Sequence, residues 1–201
     1  MLAALVVVLV ACGDDASTQS AAQLHPLGGA VEVEIDGVIH PVDDDQPLEV
    51  GHTVHTGPTG RAEILWPDGS VTRLDYLTAF SIVEIGESPS TLRGRQTAGN
   101  SYSRVIEFTE AGSRFEIDTP SAVASVQGTE YAVLIDPNEV TTVVVVDRTV
   151  LVTTPGGEAT VAAGFSLTVG PPEVSTGPIG DPEPTPTELL ESDWIAFNTE
   201  G

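Results

Sequence analysis

From about residue 30 onward, apolar and polar residues alternate with a period of two, the pattern of a β-strand with one buried face. The segment VEVEIDGVIH places Val31, Val33 and Ile35 on one face and glutamates on the other. Asp36-Gly37 then supplies a pair that tolerates positive φ in a two-residue hairpin turn. The segment RAEILWPDGSVTRL repeats the arrangement around PDGS, so the sequence predicts successive β-hairpins.

Further short apolar segments separated by turn signals continue this pattern to residue 170. The segment EVTTVVVVDRTVLVTT has too unbroken an apolar run to leave one face in water, and it predicts a central strand pair. No convincing helical stretch interrupts these segments. Plentiful valine, 20 glycines and 15 prolines also suit a β-protein. We therefore predict an all-β fold, a single β-sandwich or β-roll domain over residues 30–170.

The segment after this domain changes character twice. Residues 171–187 hold six prolines, which fix φ and remove backbone donors, so they predict an extended linker outside the sheet. Residues 188–201, ELLESDWIAFNTEG, are again rich in apolar side chains. This tail is interpreted either as a short helix or strand that packs back on the domain, or as a docking peptide for a partner.

The start of the chain, MLAALVVVLVACGDD, opens with ten apolar residues. This length is too short for a membrane-spanning helix, which needs about 20 residues, and it matches the apolar core of a secretory signal peptide. No basic residue precedes the apolar run, which a start codon assigned too late would explain. A buried first strand is the alternative, and the polar GDDASTQSAAQ that follows argues against it.

Leu9-Val10-Ala11-Cys12 resembles the lipobox of bacterial lipoproteins, in which the cysteine receives a diacylglyceryl group and becomes the new N-terminus. Cys12 is the only cysteine in the chain, so no thiol remains for a disulfide. We expect a signal peptide over residues 1–11 that is truncated at its start, and a flexible tether over residues 12–29. The expected location is extracytoplasmic, at the periplasm or the cell surface, with a lipid anchor in the membrane.

The chain carries a formal net charge of −23, from 30 acidic and 7 basic residues, and all the basic residues are arginine. Such a charge repels phosphate backbones, which excludes nucleic acid as a partner. It also repels anionic lipid headgroups, so membrane attachment must come from the anchor. Solubility, a salt-rich habitat or a cationic ligand would each account for the charge.

Three stretches resemble the FecR domain: HTGPTGRAEILWPDGSVTRLDYLTAFSI, SRVIEFTEAGSRFEIDTPSAVASVQGTEYAVLI and TTVVVVDRTVLVTTPGGEATVAAGFSLTVG. The resemblance covers about residues 50–170. The residues that match the family pattern are Thr56, Gly57, Pro58, Asp68, Gly69, Ser70, Phe115, Thr119, Pro120, Gly128, Thr129, Glu130 and Tyr131. The resemblance implies an extracytoplasmic all-β module.

The founding members of that family sense an outer-membrane transporter in the periplasm and signal through a cytoplasmic segment to a sigma factor. This sequence shows neither an N-terminal cytoplasmic helical region nor a spanning helix. We therefore expect the module and its compartment to be shared, and we do not expect this chain to carry a signal across a membrane by itself.

The polar segment Gln127-Gly128-Thr129-Glu130 is a candidate for either an active-site loop or a turn between strands. We interpret it as a turn, in which Gly128 permits a bend or close backbone approach that a Cβ would block and Thr129 hydrogen-bonds the bend. Asp68-Gly69-Ser70 is expected to serve its own hairpin in the same way.

Catalytic and metal-binding patterns are not evident. His52 and His55 would lie on opposite faces of a strand, and no third ligand stands at a telling interval. The serines lie in turn-like contexts without a nucleophile elbow. We therefore predict a protein that is not an enzyme, with no cofactor and no metal site.

Arg93, Arg95 and Arg104 form a cluster within LRGRQTAGNSYSR. They are interpreted as part of a solvated loop that relieves repulsion among acidic groups, or as a loop that contacts an anion or a glycan. Two binding functions follow as hypotheses. One is a protein-interaction module in envelope signalling or assembly, with the tail or an exposed strand edge as its contact. The alternative is binding of cell-wall or exported polysaccharide through the arginines.

Overall fold

The structure, a computed structural model, describes residues 21–171 and 177–199. The predicted signal peptide, Cys12 and the first part of the predicted tether lie outside the described residues. The strands are β1 (Ala22–Gly28), β2 (Val31–Ile35), β3 (Val38–Pro41), β4 (Gln46–Leu48), β5 (Thr53–Thr56), β6 (Arg61–Leu65), β7 (Val71–Leu74), β8 (Ala79–Glu87), β9 (Ser90–Arg104), β10 (Arg114–Asp118), β11 (Val123–Val126), β12 (Glu130–Ile135), β13 (Thr141–Asp147), β14 (Thr149–Thr154), β15 (Gly157–Ala162), β16 (Phe165–Val169) and β17 (Glu183–Pro184). Two short helices follow, α1 (Thr187–Leu190) and α2 (Asp193–Thr199).

The strands form one connected sheet that is folded into two halves. Sheet A has the order β4-β1-β6-β7-β9-β12-β13-β16-β17. Sheet B has the order β3-β2-β5-β8-β9-β10-β11-β14-β15. All neighbours are antiparallel except β9 and β10, which are parallel. The predicted all-β fold is confirmed.

Strand β9 belongs to both sheets, because its first part pairs with β8 and β10 while its last part pairs with β7 and β12. The change of sheet falls at Gly99, whose φ is +77°. A Cβ at Gly99 would lie 2.4 Å from Thr78 Oγ1 and 2.6 Å from Thr78 Cα. Only glycine fits a position with both this backbone conformation and this close approach.

The core lies between the two sheets. Trp66, which follows β6, contacts the rings of Phe80 and Phe115 from sheet B edge to face, with centroid separations of 6.3 and 5.1 Å. The predicted alternation is confirmed in β6, where Ala62 and Ile64 are fully buried. Alternate burial of this kind closes one face of each sheet against the other.

The β-structure begins earlier than predicted. Residues 22–28 were expected to lie in the tether, but they form β1, which pairs with β4 and β6. Ala22 and Leu24 are fully buried there. This segment contains only two alternating apolar residues before Pro26, which is too short a signal for the pattern to identify.

Two other predictions also need correction. The valine-rich segment forms β13 and β14, but these strands lie in different sheets and do not pair with each other. Part of the predicted linker is not outside the sheet, since Glu183 and Pro184 pair with β16. Pro184 is accommodated because β17 is an edge strand, where a missing N–H costs no ladder hydrogen bond.

Candidate functional site

Asp68, Gly69 and Ser70 form the turn between β6 and β7. The Asp68 carboxylate accepts hydrogen bonds from the Ser70 backbone N–H and hydroxyl at 2.8 and 2.7 Å. Gly69 has a φ of +93°. The buried Ser70 hydroxyl oxygen also accepts a hydrogen bond from the Ile106 N–H at 3.1 Å. The contacts of these residues are therefore those of a packed hairpin turn.

Gly128 and Thr129 lie where the chain passes from β11 in sheet B to β12 in sheet A. Gly128 has a φ of +130°, and a Cβ there would lie 2.6 Å from the Glu107 Cα. The Thr129 hydroxyl donates a hydrogen bond to the Asp147 carbonyl oxygen. The close approach at Gly128 and the hydrogen bond of Thr129 thus hold the crossing segment against the neighbouring backbone.

The three arginines of the predicted cluster lie on one strand and not in a loop. Glycine and polar residues in the segment suggested a loop, but β9 extends through it, and burial alternates over residues 92–97. The space that a Cβ would fill at Gly94 is taken by the Phe80 ring, whose Cζ would be 2.2 Å away. The structure keeps Arg93 and Arg95 together in sheet B and places Arg104 in sheet A.

Arg93 and Arg95 share a carboxylate. Arg93 contacts Asp118 through Nε at 3.0 Å and Nη2 at 2.9 Å, while Arg95 approaches the same carboxylate at 3.6 Å. The hydrogen bond to Asp118 raises the pKa of Arg93. The Arg95 side chain is 57% exposed. A shallow concave surface of about 480 Å³ lies beside these arginines, with Pro120 and Thr154 in its lining.

Arg104 belongs to a second group of arginines on the outer face of sheet A. Three ion pairs lie there, with nitrogen–oxygen distances of 2.9, 2.8 and 3.0 Å: Arg61–Asp75, Arg73–Glu63 and Arg104–Glu130. Glu130 also accepts a hydrogen bond from the Tyr102 hydroxyl at 2.8 Å. Burial and this hydrogen bond raise the pKa of Tyr102.

Helix α2 covers this face of sheet A. Trp194 and Ile195 are buried against three side chains of the sheet: Tyr102, Ala132 and Val144. The Arg61 guanidinium lies 5.3 Å from the centroid of the Trp194 ring and 5.0 Å from that of Phe197. Of the two interpretations of the tail, the structure therefore shows the one in which it packs back on the domain.

A cavity of about 190 Å³ remains beside the end of α2, with Arg73, Arg104 and Asn198 among its lining residues. Arg73 Nη1 lies 3.5 Å from the Asn198 side-chain oxygen, and Arg104 Nη2 lies 3.5 Å from the Asn198 carbonyl oxygen. Positive groups at this position complement the negative end of the helix dipole. The arginines of sheet A are thus occupied in holding the tail.

Strand β3 forms an edge of sheet B. Its backbone pairs with β2, and among the described residues its other side carries no strand pairing. All four residues of β3 are exposed, and Val38 and Ile39 each show 55% of their surface to solvent. An edge strand with unpaired backbone groups and apolar side chains is a template for pairing with another chain.

Acidic residues flank β3 at both ends. Asp36 lies in the turn before the strand and residues 43–45 are three consecutive aspartates after it, all exposed. Asp45 contacts His25 at 2.8 Å. The first arginine of the sequence is Arg61, and the chain contains no lysine. The β2–β3 hairpin is therefore an acidic surface around an apolar edge.

Two of the four histidines, His25 and His55, take part in separate pairs with acidic residues. His55 Nε2 lies 3.1 Å from the Glu34 carboxylate, apart from the His25–Asp45 pair. Within residues 21–171 and 177–199, no group of three or more His, Cys, Asp or Glu side chains is arranged to hold a metal ion.

Sequence reasoning missed the edge position of Val38 and Ile39 and the grouping of Arg61 with Arg73. The hairpin containing β3 was predicted, but the alternation along a strand carries no information on which strand ends a sheet. The arginines of sheet A come from three separate strands, β6, β7 and β9, so no short motif joins them. An apolar Val-Ile pair between acidic turns is the one local signal of the edge.

Comparison with known proteins supports the predicted family. The family model described as FecR protein matches residues 52–151, inside the segment on which the resemblance rests. No curated protein matches the chain. Among the described residues, neither helix is long and apolar enough to span a membrane.

Two crystal structures of a candidate anti-sigma factor from Parabacteroides distasonis ATCC 8503, at 1.65 and 2.50 Å resolution, share this fold. Each aligns with a TM-score of 0.57 and 18% sequence identity. The alignment covers 69% of this chain and 62% of the other, so the chain spans less than two thirds of the solved protein. At this identity the likeness shows a common fold.

Proposed function

Because residues 52–151 of this chain form a FecR domain, we propose that the protein is an extracytoplasmic, lipid-anchored module that binds another protein of the cell envelope. It acts by binding, in envelope signalling or assembly, and not by catalysis. One solved protein with this fold is a candidate anti-sigma factor, and of the two processes this likeness favours signalling.

The open edge of β3 is the observation that carries the proposal. The sequence predicted the tail or an exposed strand edge as the contact, and the tail is already buried on sheet A through Trp194 and Ile195. Val38 and Ile39 remain exposed beside a backbone edge that pairs with no second strand in the part of the chain that the structure describes. Strand addition to such an edge gives affinity through backbone hydrogen bonds and selectivity through side chains.

The anchor places this surface outside the cytoplasm. The proposed lipid attachment is at Cys12, and a polar segment leads from it to β1. The acidic domain would be repelled by anionic headgroups, so the anchor holds the protein at the membrane while its charge keeps the domain away from the lipid surface.

In-cell crosslinking followed by affinity capture and mass spectrometry tests the binding function. We expect one envelope protein to be recovered repeatedly with the wild-type chain. Cys12→Ala should remove palmitate labelling and membrane association. Repeated failure to capture any protein would contradict the binding function, and unchanged membrane association of Cys12→Ala would contradict the anchor.

Binding of cell-wall or exported polysaccharide is the second candidate. It is favoured by Arg93 and Arg95, which share the Asp118 carboxylate beside a concave surface and leave the Arg95 guanidinium largely exposed. Arginine donors suit carboxylate groups of acidic glycans. Replacing both arginines with alanine should reduce sedimentation with purified wall material, and unaltered sedimentation would exclude this function.

A further inference from the structure

We infer that the β3 edge receives an extended partner segment with consecutive apolar residues at its centre and a lysine or arginine near each end. This inference rests on the proposed function and names the chemistry of the partner at that surface. It follows from three properties of the hairpin: the direction of its free backbone groups, the exposure of its apolar side chains and the sign of its charge.

The pairing with β2 determines which backbone groups of β3 face outward. The Val42 N–H donates to the Val31 carbonyl oxygen at 2.8 Å, so this residue pair is hydrogen-bonded. Hydrogen-bonded pairs alternate along an antiparallel ladder, so residues 38 and 40 also direct their groups toward β2. Ile39 and Pro41 therefore point theirs away from the sheet.

The free edge consequently offers one donor and two acceptors. Ile39 presents an N–H and a carbonyl, whereas Pro41 presents only a carbonyl because proline has no N–H. A partner strand must supply two N–H donors opposite these carbonyls. The Ile39 N–H is the single outward donor of β3, which makes residue 39 the position at which strand pairing is most sensitive to substitution.

The side chains call for apolar contacts on both sides of the partner strand. Ile39 lies opposite Glu34 of β2, while Val38 lies opposite Ile35 and so faces the other side of the sheet. Each is 55% exposed. Covering the exposed parts of a valine and an isoleucine is favourable by the ordinary hydrophobic effect. Apolar residues in the partner segment would supply that cover.

The charge around the edge requires basic residues at the ends of the partner segment. β3 is only four residues long, about 13 Å, so Asp36 at one end and residues 43–45 at the other all lie near a strand docked along it. The Debye length at physiological salt is about 8 Å, shorter than the strand, so each acidic end attracts mainly a charge placed close to it. A lysine or arginine near each end would neutralise this acidic rim, which consists of Asp36 and residues 43–45.

A second copy of this chain fits the edge poorly. It would bring an identical acidic rim against the first, in a chain whose net charge is −23. Like charges placed opposite each other disfavour such a contact. The same argument excludes an acidic segment of another protein.

Binding of synthetic peptides to the intact protein tests the inference. The probe, called the valine–lysine peptide, is about eight residues long and has a central run of valines between lysines, with capped ends. A valine–glutamate peptide tests the sign of charge, and a glycine–lysine peptide of equal charge separates strand pairing from plain electrostatic attraction. We expect binding of the valine–lysine peptide alone, protection of the Ile39 amide from hydrogen exchange, and weaker binding as salt rises.

Ile39→Pro removes the outward donor and should weaken binding of the valine–lysine peptide about tenfold. Thr160→Pro is the matched control, because Thr160 lies on β15 at the opposite edge of sheet B. The Ala163 N–H donates to the Arg148 carbonyl, which by the same alternation directs the Thr160 N–H outward. This control should leave the affinity unchanged.

A second pair of variants tests the charge without touching the strand. Changing Asp43 and Asp44 to asparagine should weaken binding about fivefold, whereas changing the exposed Glu158 and Asp181 to their amides should have little effect. The two double variants have the same net charge, so a difference between them reports the position of the acids.

Equal loss in Ile39→Pro and Thr160→Pro, equal binding of the glycine–lysine peptide, or preference for the valine–glutamate peptide would overturn the inference. So would a dimer of the protein alone that Ile39→Pro abolishes. If an envelope protein is captured equally by wild type and Ile39→Pro, the inference about β3 fails while the proposed binding function stands. If no protein is captured, the proposed function itself fails.

Discussion

The outer face of sheet A and the β3 edge of sheet B both present apolar side chains, but only the first is covered by the chain itself. On sheet A, Tyr102 and Val144 are closed over by Trp194 and Ile195 of α2. At the β3 edge, Val38 and Ile39 remain exposed. Because a protein gains by burying such surface, the region it leaves open is the better candidate for a partner.

The two regions also differ in charge. Arg61, Arg73 and Arg104 lie on sheet A, and each is paired with an acid. The β2–β3 hairpin has acids but no lysine or arginine. An arginine that is already paired and stacked on aromatic rings serves internal packing, whereas acids without a lysine or arginine beside them leave a negative field that a partner can neutralise.

The largest expected effect comes from breaking the connection between the two sheets at Gly99. Gly99→Ala should lower the free energy of unfolding by about 4 kcal/mol, because the added Cβ would meet Thr78 and the φ is positive. Gly164→Ala is the control, since its φ is +82° and nothing lies within 4 Å of its added Cβ. That variant should lose only about 1 kcal/mol. Urea denaturation measures both, and equal losses would contradict the close-approach argument.

A smaller effect is expected from opening the covered face of sheet A. Trp194→Ala should weaken the docking of α2 by about 3 kcal/mol, because it removes a large side chain that is 5% exposed. Phe197→Ala should cost about 1 kcal/mol, since Phe197 is 43% exposed. Hydrogen exchange of the α2 amides and limited proteolysis report the docking. An unchanged tail in Trp194→Ala would show that this face is not held by its buried tryptophan.

The smallest expected effect is a difference in stability between variants of a paired arginine in sheet A and one in sheet B. Arg61→Gln should destabilise the protein by about 1–2 kcal/mol, because Arg61 contacts aromatic rings and its loss leaves the nearly buried Asp75 without that partner. Arg95→Gln should change stability by less than about 0.5 kcal/mol, since Arg95 is largely exposed. Thermal unfolding compares the two variants, and similar losses would remove the distinction between the sheets.

Much of the fold could be predicted from the sequence where the local patterns were long. The alternation in RAEILW and the Asp36-Gly37 turn predicted buried positions and a hairpin that the structure contains. β1 was missed because only Ala22 and Leu24 alternate before a proline. The strand nature of β9 was missed because its glycines resemble those of a loop, although Phe80 fills the space at Gly94.

Less of the candidate site could be predicted from the sequence. The sequence drew attention to Arg93, Arg95 and Arg104 because they are close together in the chain, yet β9 carries them into two different sheets. The sequence did not indicate that Arg61 and Arg73 would lie against α2. Proximity along the chain is a poor guide to proximity in space when a strand changes sheets at a single glycine.

The sequence by itself determined the all-β class, the acidic surface and the hairpins, because period-two burial, charge and turn chemistry act between near neighbours. Only the tertiary structure decided that the tail would cover sheet A and that β3 would be left as an edge. These outcomes depend on which distant strands pair and on where the last segment finds apolar surface. Both are settled by the packing of the whole chain and not by any local run of residues.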